Sequence, residues 1–175
     1  LLQATLALAE KLGDPELIAD AIEGLLRVQA GGDAATLGRR LATLREELGD
    51  KEGAERALEA SFSANPRDSS LRDLLIVRYT EREDYGKVAG LLNVSLRERA
   101  DDARLLDRLV EAHRAADQPE AALKALESFM GTASHDAALL RKRAQLLSEL
   151  SREEEAVAAL EEAYAVDPSL ASDLI

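Results

Sequence analysis

The sequence predicts an all-α solenoid, in which antiparallel helical hairpins stack side by side. Three series of residues recur every 34 positions without insertion or deletion, and leucine forms two of them. The series are Ala54, Val88, Ala122 and Ala156; Leu58, Leu92, Leu126 and Leu160; and Leu37, Leu71, Leu105 and Leu139. Self-similarity at a fixed period of this length is the signature of a stacked repeat array.

Each 34-residue unit is predicted to hold two amphipathic helices with a short turn between them. In the unit 35–68, the first helix covers about 33–48. Its leucines lie three or four residues apart and form one apolar stripe: Leu37, Leu41, Leu44 and Leu48. This spacing favours a helix that buries one face against its neighbours.

Residues typical of helix ends bound these segments. Asp33 is the predicted N-cap of the first helix, and Gly49 is its predicted C′ residue. Asp50 is then expected to cap a second helix over about 51–63. Pro119 fits the first turn of a later helix, where the missing N–H costs nothing.

The same pattern predicts ten complete helices in five hairpins, followed by a truncated eleventh helix. The further helices are expected near 68–81, 85–99, 102–115, 118–131, 135–149 and 152–166. The chain is predicted to be a single repeat domain over 1–175. Its parts are the regular repeats 35–68, 69–102, 103–136 and 137–170, a first hairpin in 1–34, and the start of a truncated helix at 171–175.

The first hairpin, predicted over about 1–12 and 15–29, is out of phase with the rest. Asp20 and Gly24 stand where the 34-residue register calls for small and leucine residues. It is therefore either a divergent repeat or one with altered spacing.

Cohesion between neighbouring hairpins must stabilise this chain. An isolated helix of about thirteen residues is marginal in water, and a hairpin of about thirty residues is too small to sustain its own core. Each hairpin is therefore expected to bury its face against the next, which gives an elongated superhelix. Apolar end faces of such an array predict self-association.

Residues 156–168 carry the clearest family pattern. They run Ala-Val-Ala-Ala-Leu-Glu-Glu-Ala-Tyr-Ala-Val-Asp-Pro, with a small residue, a leucine four later, another small residue three later, and a closing proline. This pattern resembles the tetratricopeptide repeat. The departures are the absence of tryptophan, Ile76 and Val110 at usually small positions, and Arg45 and His113 at usual tyrosine positions. The resemblance implies a right-handed superhelix.

The resemblance also implies a concave groove lined by the first helix of each repeat. The repeat positions that line such grooves place a band of basic residues and two apolar residues on this surface. They are Arg39, Arg40, Leu74, Val77, Arg104, Arg108, Arg141 and Lys142. An extended or helical peptide could lie in the groove, its carboxylates held by the planar forks of the arginines.

The alternative interpretation is that these charges only make an exposed face soluble. Arg104–Asp107 and Arg108–Glu111 are each three residues apart, and such pairs contribute about 0.2–0.5 kcal/mol. Against this, Glu46, Glu47 and Glu81 stand in last turns, where acidic residues oppose the helix dipole.

Composition argues against several other functions. A net charge of −12 repels phosphate backbones and anionic lipid surfaces, so neither nucleic acid nor a membrane is expected as a partner. The chain has no cysteine, and its two histidines have no partner at metal-ligand spacing. His113 is expected to pack and His135 to open a helix. No catalytic residue, metal site or cofactor is predicted.

We therefore expect a non-enzymatic module or scaffold that binds an unidentified protein or peptide. The rival interpretations are a structural spacer that self-assembles, a regulatory arm of a larger enzyme or transcription factor, and RNA-binding helical repeats, which the acidic charge disfavours. The arginine- and alanine-rich, lysine-poor composition suggests a bacterial source. The start at Leu1 and the end at Ile175, within a predicted helix, suggest a fragment of a larger protein. The absence of cysteine and of a signal segment favours a cytoplasmic location.

Overall fold

The structure, a computed structural model, describes residues 1–28, 32–131 and 136–169. Ten α-helices and no strands occur within these ranges. The helices are α1 (Leu2–Leu12), α2 (Pro15–Leu26), α3 (Gly32–Glu47), α4 (Lys51–Ala64), α5 (Ser69–Glu81), α6 (Tyr85–Glu98), α7 (Ala103–Ala115), α8 (Pro119–Met130), α9 (Ala137–Glu149) and α10 (Glu153–Val166). The predicted ten helices are confirmed. The truncated helix expected at 171–175 lies outside the described residues, as does His135.

The helix boundaries repeat with the period of the sequence. The second helices α4, α6, α8 and α10 begin at Lys51, Tyr85, Pro119 and Glu153, so successive starts differ by 34. The first helices α5, α7 and α9 begin at Ser69, Ala103 and Ala137, with the same difference. One sequence register therefore sets both helices of each repeat.

The first hairpin follows a longer spacing. Helix α2 begins at Pro15, and 51 − 15 = 36, two residues more than the period. A shift of 36 aligns Ile18, Ala21 and Ile22 of α2 with Ala54, Ala57 and Leu58 of α4. Because the apolar pattern returns at this offset, the hairpin is a repeat with altered spacing and not one that has lost its pattern.

Aspartates cap the first helices at the same repeat position. The side chains of Asp68, Asp102 and Asp136 accept hydrogen bonds from the backbone N–H three residues later, at 3.0, 3.1 and 2.7 Å. Asp50 caps α4 as predicted, accepting from Gly53 N at 2.7 Å. The prediction for Asp33 is wrong, because α3 already begins at Gly32 and Asp33 lies in its first turn.

The turn inside each hairpin contains one residue in the left-handed region. This residue is Gly13, Gly49, Glu83, Asp117 or Ser151, with φ between 56° and 80°. The last four are 34 residues apart. In three of these turns the next N–H donates to a carbonyl five residues back, as in Asp50 to Arg45 at 2.7 Å, which is the Schellman arrangement.

The chain divides into two compact units, Leu1–Arg82 and Glu83–Ile175, which we call unit 1 and unit 2. Unit 1 holds α1 to α5, and each helix packs against the next. Its core combines alanines with larger aliphatic residues, among them Ala19, Ile22, Leu41, Ala57, Leu58, Leu71 and Leu75. Small residues let helices approach closely: α3 and α4 meet where buried Gly38 faces Ser61.

Unit 2 holds α6 to α10, again with each helix against the next. One hydrophobic cluster runs through α7, α8, α9 and α10. It includes Leu106, Leu126, Phe129, Met130, Leu140, Leu147, Ala159 and Ala163, with Leu96 of α6 packed against it. In both units, the apolar residues that recur along the sequence are therefore buried between neighbouring helices. That the two units form one repeat domain, and that the superhelix is right-handed, remain predictions.

Candidate functional site

Three exposed cations stand on the first helices of unit 2. Arg104 and Arg108 lie one turn apart on α7, and Arg141 lies on α9. None of the three has a hydrogen bond or ion pair with another residue that the structure describes. We call the surface formed by these arginines, Asp107, Glu111 and Lys142 the first-helix face of unit 2. Its unpaired arginines are available to carboxylates in solution.

The other charges of this face join α7 to α9. Lys142 Nζ pairs with Asp107. Arg114 donates two hydrogen bonds, of 2.6 and 3.1 Å, to the Glu149 carboxylate. Arg114 also donates to Glu111 at 3.1 Å. The hydrogen bond to Glu111 is the main cause that raises the pKa of Arg114; burial opposes it and Glu149 adds to it.

These contacts overturn the pairing considered from the sequence. Asp107 pairs with Lys142, and Glu111 pairs with Arg114. Neither carboxylate pairs with the arginine three residues before it. Arg104 and Arg108 are therefore left unneutralised. Sequence spacing could not show this for Asp107, because its partner Lys142 is 35 positions away.

An open cleft of about 740 Å³ lies beside Arg141, between α9 and α10. Its apolar wall includes Ala144, Ala156, Val157 and Leu160, and its polar rim includes Lys142 and Gln145. The cleft is large enough for several side chains of a peptide. It puts an apolar surface next to an unpaired cation on one side of unit 2.

The predicted site residues of unit 1 behave differently. Arg39 pairs with Asp68 at 3.4 Å and Arg40 with Glu10 at 2.7 Å, so both cations are already engaged. Leu74 and Val77 of α5 are 41% and 53% exposed, as expected for surface positions. The structure thus leaves apolar contacts but no unpaired arginine at the four positions predicted in this unit.

Arg45 and His113, which stand where the family usually has tyrosine, have structural partners. Arg45 Nη2 donates to Glu23 of α2 at 2.8 Å and to Asp20 at 3.3 Å. Burial acts to lower the pKa of Arg45, but the hydrogen bond to Glu23 and the charges of Glu23, Asp20 and Asp50 together raise it. His113 Nδ1 lies 3.2 Å from Gln118 Oε1, which supports the predicted packing role.

Sequence reasoning missed a second surface in unit 2. The second helices α6 and α8 border a groove of about 440 Å³ that α7 also lines. We call it the second-helix groove of unit 2. Its apolar lining includes Leu96, Leu109 and Phe129, and its rim carries Arg97 and Lys124. The available signal was the pair of basic residues on neighbouring second helices, but the family resemblance directs attention to the first helices.

No group of three or more histidines or acidic residues that could hold a metal ion occurs in the described part of the chain. None of its helices is both long enough and apolar enough to span a membrane.

A family model of the tetratricopeptide repeat matches residues 142–170, which include all of α10. The matched hairpin is one of a series whose helix starts recur at the same interval. The match identifies a tetratricopeptide repeat in this part of the chain. No curated protein matches it.

Solved structures share this tetratricopeptide-type fold. MamA AMB-1 is similar with a TM-score of 0.51 at 18% identity, over 95% of this chain and 89% of that one. MamA MSR-1 has a TM-score of 0.50 at 16% identity, over 96% of this chain and 95% of that one. These similarities confirm the predicted all-α class of a helical-repeat solenoid.

Tetratricopeptide repeats are in general non-enzymatic modules that bind other proteins. The match at residues 142–170 therefore supports a protein-interaction scaffold as the general function of this chain. The surfaces described above are the places where such an interaction can be sought.

Proposed function

We propose that this chain is an interaction module that binds an acidic peptide segment on the first-helix face of unit 2. The observation that carries the proposal is the set of three exposed, unpaired arginines, Arg104, Arg108 and Arg141, in a chain whose net charge is −12. Surface cations in such a chain have many carboxylates within reach. The three arginines lie on neighbouring first helices and still have no partner among the described residues. This favours the binding of an external anion.

The bound segment is expected to combine carboxylates with an apolar side chain. Arginine holds a carboxylate with two parallel hydrogen bonds, which fixes orientation as well as charge. The cleft between α9 and α10 begins at Arg141 and offers Ala156, Val157 and Leu160 to an aliphatic side chain. A peptide that lies across α7 and α9 would use both features. In unit 1, we propose Leu74 and Val77 as apolar contacts of the same kind.

A charge-reversal experiment tests the proposal. The probe is a fluorescein-labelled twelve-residue peptide of glutamates with two central leucines, followed by fluorescence anisotropy. Arg108→Glu with Arg141→Glu should weaken binding at least about tenfold, because hydrogen bonds to charged groups contribute about 1.5–3 kcal/mol. The control is Lys51→Glu with Arg67→Glu, which changes the net charge equally at two exposed positions of unit 1.

Circular dichroism must show unchanged helix content in both variants. Equal loss of binding in the two variants would reduce the effect to overall charge, and unchanged binding in the first would remove these arginines from the site.

A second candidate function, self-association, is favoured by the apolar surface of the first hairpin. Leu8 and Leu12 of α1 are 59% and 65% exposed and line an open groove of about 340 Å³ with Leu17 of α2. Light scattering tests it: the mass should rise above 18.9 kDa with concentration, and Leu8→Lys with Leu12→Lys should abolish the rise. Leu48→Lys, at another exposed leucine, is the matched control.

A further inference from the structure

The second-helix groove occupies the same repeat position as a groove in unit 1. Leu109, which lines the groove of unit 2, is 68 residues, or two periods, after Leu41, which lines the groove of unit 1. Lys124 and Ala125 correspond in the same way to Arg56 and Ala57. The fold thus builds this groove twice, and the two copies can be compared directly.

The two copies carry different charges. The groove of unit 1 has Glu23 in its lining, and its Arg56 lies 3.9 Å from the carboxylate of Asp50. In unit 2 the position that corresponds to Glu23 is Asn93, and no carboxylate lines the groove. The acidic compensation seen in unit 1 is therefore missing in unit 2.

The basic residues of the unit 2 groove are also unpaired. Arg97 on α6 and Lys124 on α8 are exposed, and neither has a hydrogen bond or ion pair with another described residue. Glu127, one turn after Lys124, pairs instead with Arg143 at 3.2 Å. His113 also lines the groove, with its Nδ1 3.2 Å from Gln118 Oε1. The rim of this groove is positive in a protein that is strongly negative overall.

The floor between these cations is apolar. Leu96, Leu109 and Phe129 lie below them, and small residues of α8, Ala121, Ala125 and Ser128, keep the groove open. A volume of about 440 Å³ accommodates a few side chains. Small-molecule sites typically bury most of their ligand, whereas this groove is open to solvent between two second helices, which suits a peptide better.

We infer that the second-helix groove of unit 2 is a separate binding site for a peptide segment in which carboxylates flank an apolar side chain. The apolar side chain occupies the floor, and the carboxylates meet Arg97 and Lys124. The site lies on the second helices and does not depend on the first-helix face proposed above. One array can therefore hold two acidic segments on different surfaces.

Amide chemical-shift mapping tests the inference on the intact chain. The probe is an acetylated and amidated ten-residue peptide in which leucine alternates with glutamate. It should shift the signals of α6 and α8 around the groove, while the same peptide with glutamine for glutamate should shift them at least tenfold less at equal concentration. No shifts at α6 and α8 with the acidic peptide would overturn the site.

Variants separate this site from the other surfaces. Arg97→Glu with Lys124→Glu should remove the α6 and α8 shifts, while Arg108→Glu with Arg141→Glu should leave them in place. Arg27→Glu with Arg56→Glu, the matched change in the groove of unit 1, should also leave them in place.

Shifts that persist in Arg97→Glu with Lys124→Glu, in a protein of unchanged helix content, would contradict the inference. So would shifts produced by decanoate and not by the peptide, because they would indicate a site for a small amphipathic acid.

Discussion

A Cβ atom added to Gly38 of α3 would lie 1.4 Å from Oγ and 2.4 Å from Cβ of Ser61 on α4. The glycine and the serine therefore share a space that holds only one side chain. Ser61 is fully buried, and its hydroxyl donates to Ala57 O at 2.7 Å, which satisfies it inside its own helix. The close contact between α3 and α4 depends on this pair.

Gly38→Ala should destabilise the protein by about 1–3 kcal/mol, the usual cost of overpacking, even though alanine is the better helix former by about 1 kcal/mol. Gly90→Ala in α6 is the matched control. Its added Cβ meets nothing within 4 Å, so it should raise the free energy of unfolding by about 0.5–1 kcal/mol. Urea denaturation measures both. Stabilisation by Gly38→Ala would show that α3 and α4 can separate at no cost.

Replacing Ser151 with glycine should stabilise unit 2. Ser151 adopts φ 57° in the turn between α9 and α10, where Gly49 serves the equivalent turn of unit 1. The left-handed conformation costs an L-residue about 1–2 kcal/mol, and the larger backbone entropy of glycine in the unfolded chain returns part of this. We expect a net gain of about 0.5–1 kcal/mol by thermal or urea denaturation. Ser148→Gly, inside α9, should destabilise instead.

The capping role of Asp102 can be isolated from its charge. Its carboxylate accepts hydrogen bonds from Arg104 N and Leu105 N, both at 3.1 Å. Asp102→Ala should therefore lower the free energy of unfolding by about 1 kcal/mol. Asp101→Ala removes the same charge from an exposed neighbour that caps nothing and should have less than half this effect. Equal effects in the two variants would show that charge, and not capping, stabilises the start of α7.

A pH-dependent contribution is expected at the start of α10. Arg152 holds the Glu155 carboxylate with two hydrogen bonds of 2.7 Å, and these lower the pKa of Glu155 below its ordinary value. A carboxyl whose pKa is lower in the folded state stabilises the fold above its unfolded pKa. That contribution is lost as the pH falls through the folded pKa.

Arg152→Ala should raise the pKa of Glu155 towards its ordinary value, as measured by NMR titration of the side-chain carboxyl. Asp167 serves as an internal control, since the hydrogen bond from the Ser169 hydroxyl is the main cause that lowers its pKa. Ser169→Ala should reverse the pattern, moving the pKa of Asp167 and not that of Glu155. A Glu155 pKa that is unchanged in Arg152→Ala would show that the hydrogen bonds from Arg152 do not lower it.

Much of the fold follows from the sequence because the apolar register and the helix ends repeat together. The period placed the helices, and Asp50, Gly49 and Pro119 were correctly predicted as cap, C′ residue and first-turn proline. The left-handed residues Glu83, Asp117 and Ser151 were not foreseen, because no glycine marks them. In the turns of Asp117 and Ser151, the Schellman hydrogen bond holds this conformation without a glycine.

The candidate surfaces could be predicted only in part. Sequence positions identified Arg104, Arg108 and Arg141, but whether a cation is free depends on contacts between helices. Arg40 is engaged by Glu10, thirty positions before it. Spacing within a helix carries no information about such contacts, so paired and unpaired arginines look alike in the sequence.

The left-handed residue that closes each hairpin also makes the chain modular. Removing residues 118–151 would take out 34 residues and connect Asp117 to Arg152. Asp117 would then stand where Ser151 stands in the intact chain, and both residues have the same left-handed backbone conformation. Shortening by a whole period thus creates no new junction geometry and keeps the apolar register of the following helix. The two additional residues between the start of α2 and the end of α3, where 47 − 15 = 32 against 81 − 51 = 30, mark one place where the array accommodates a different length.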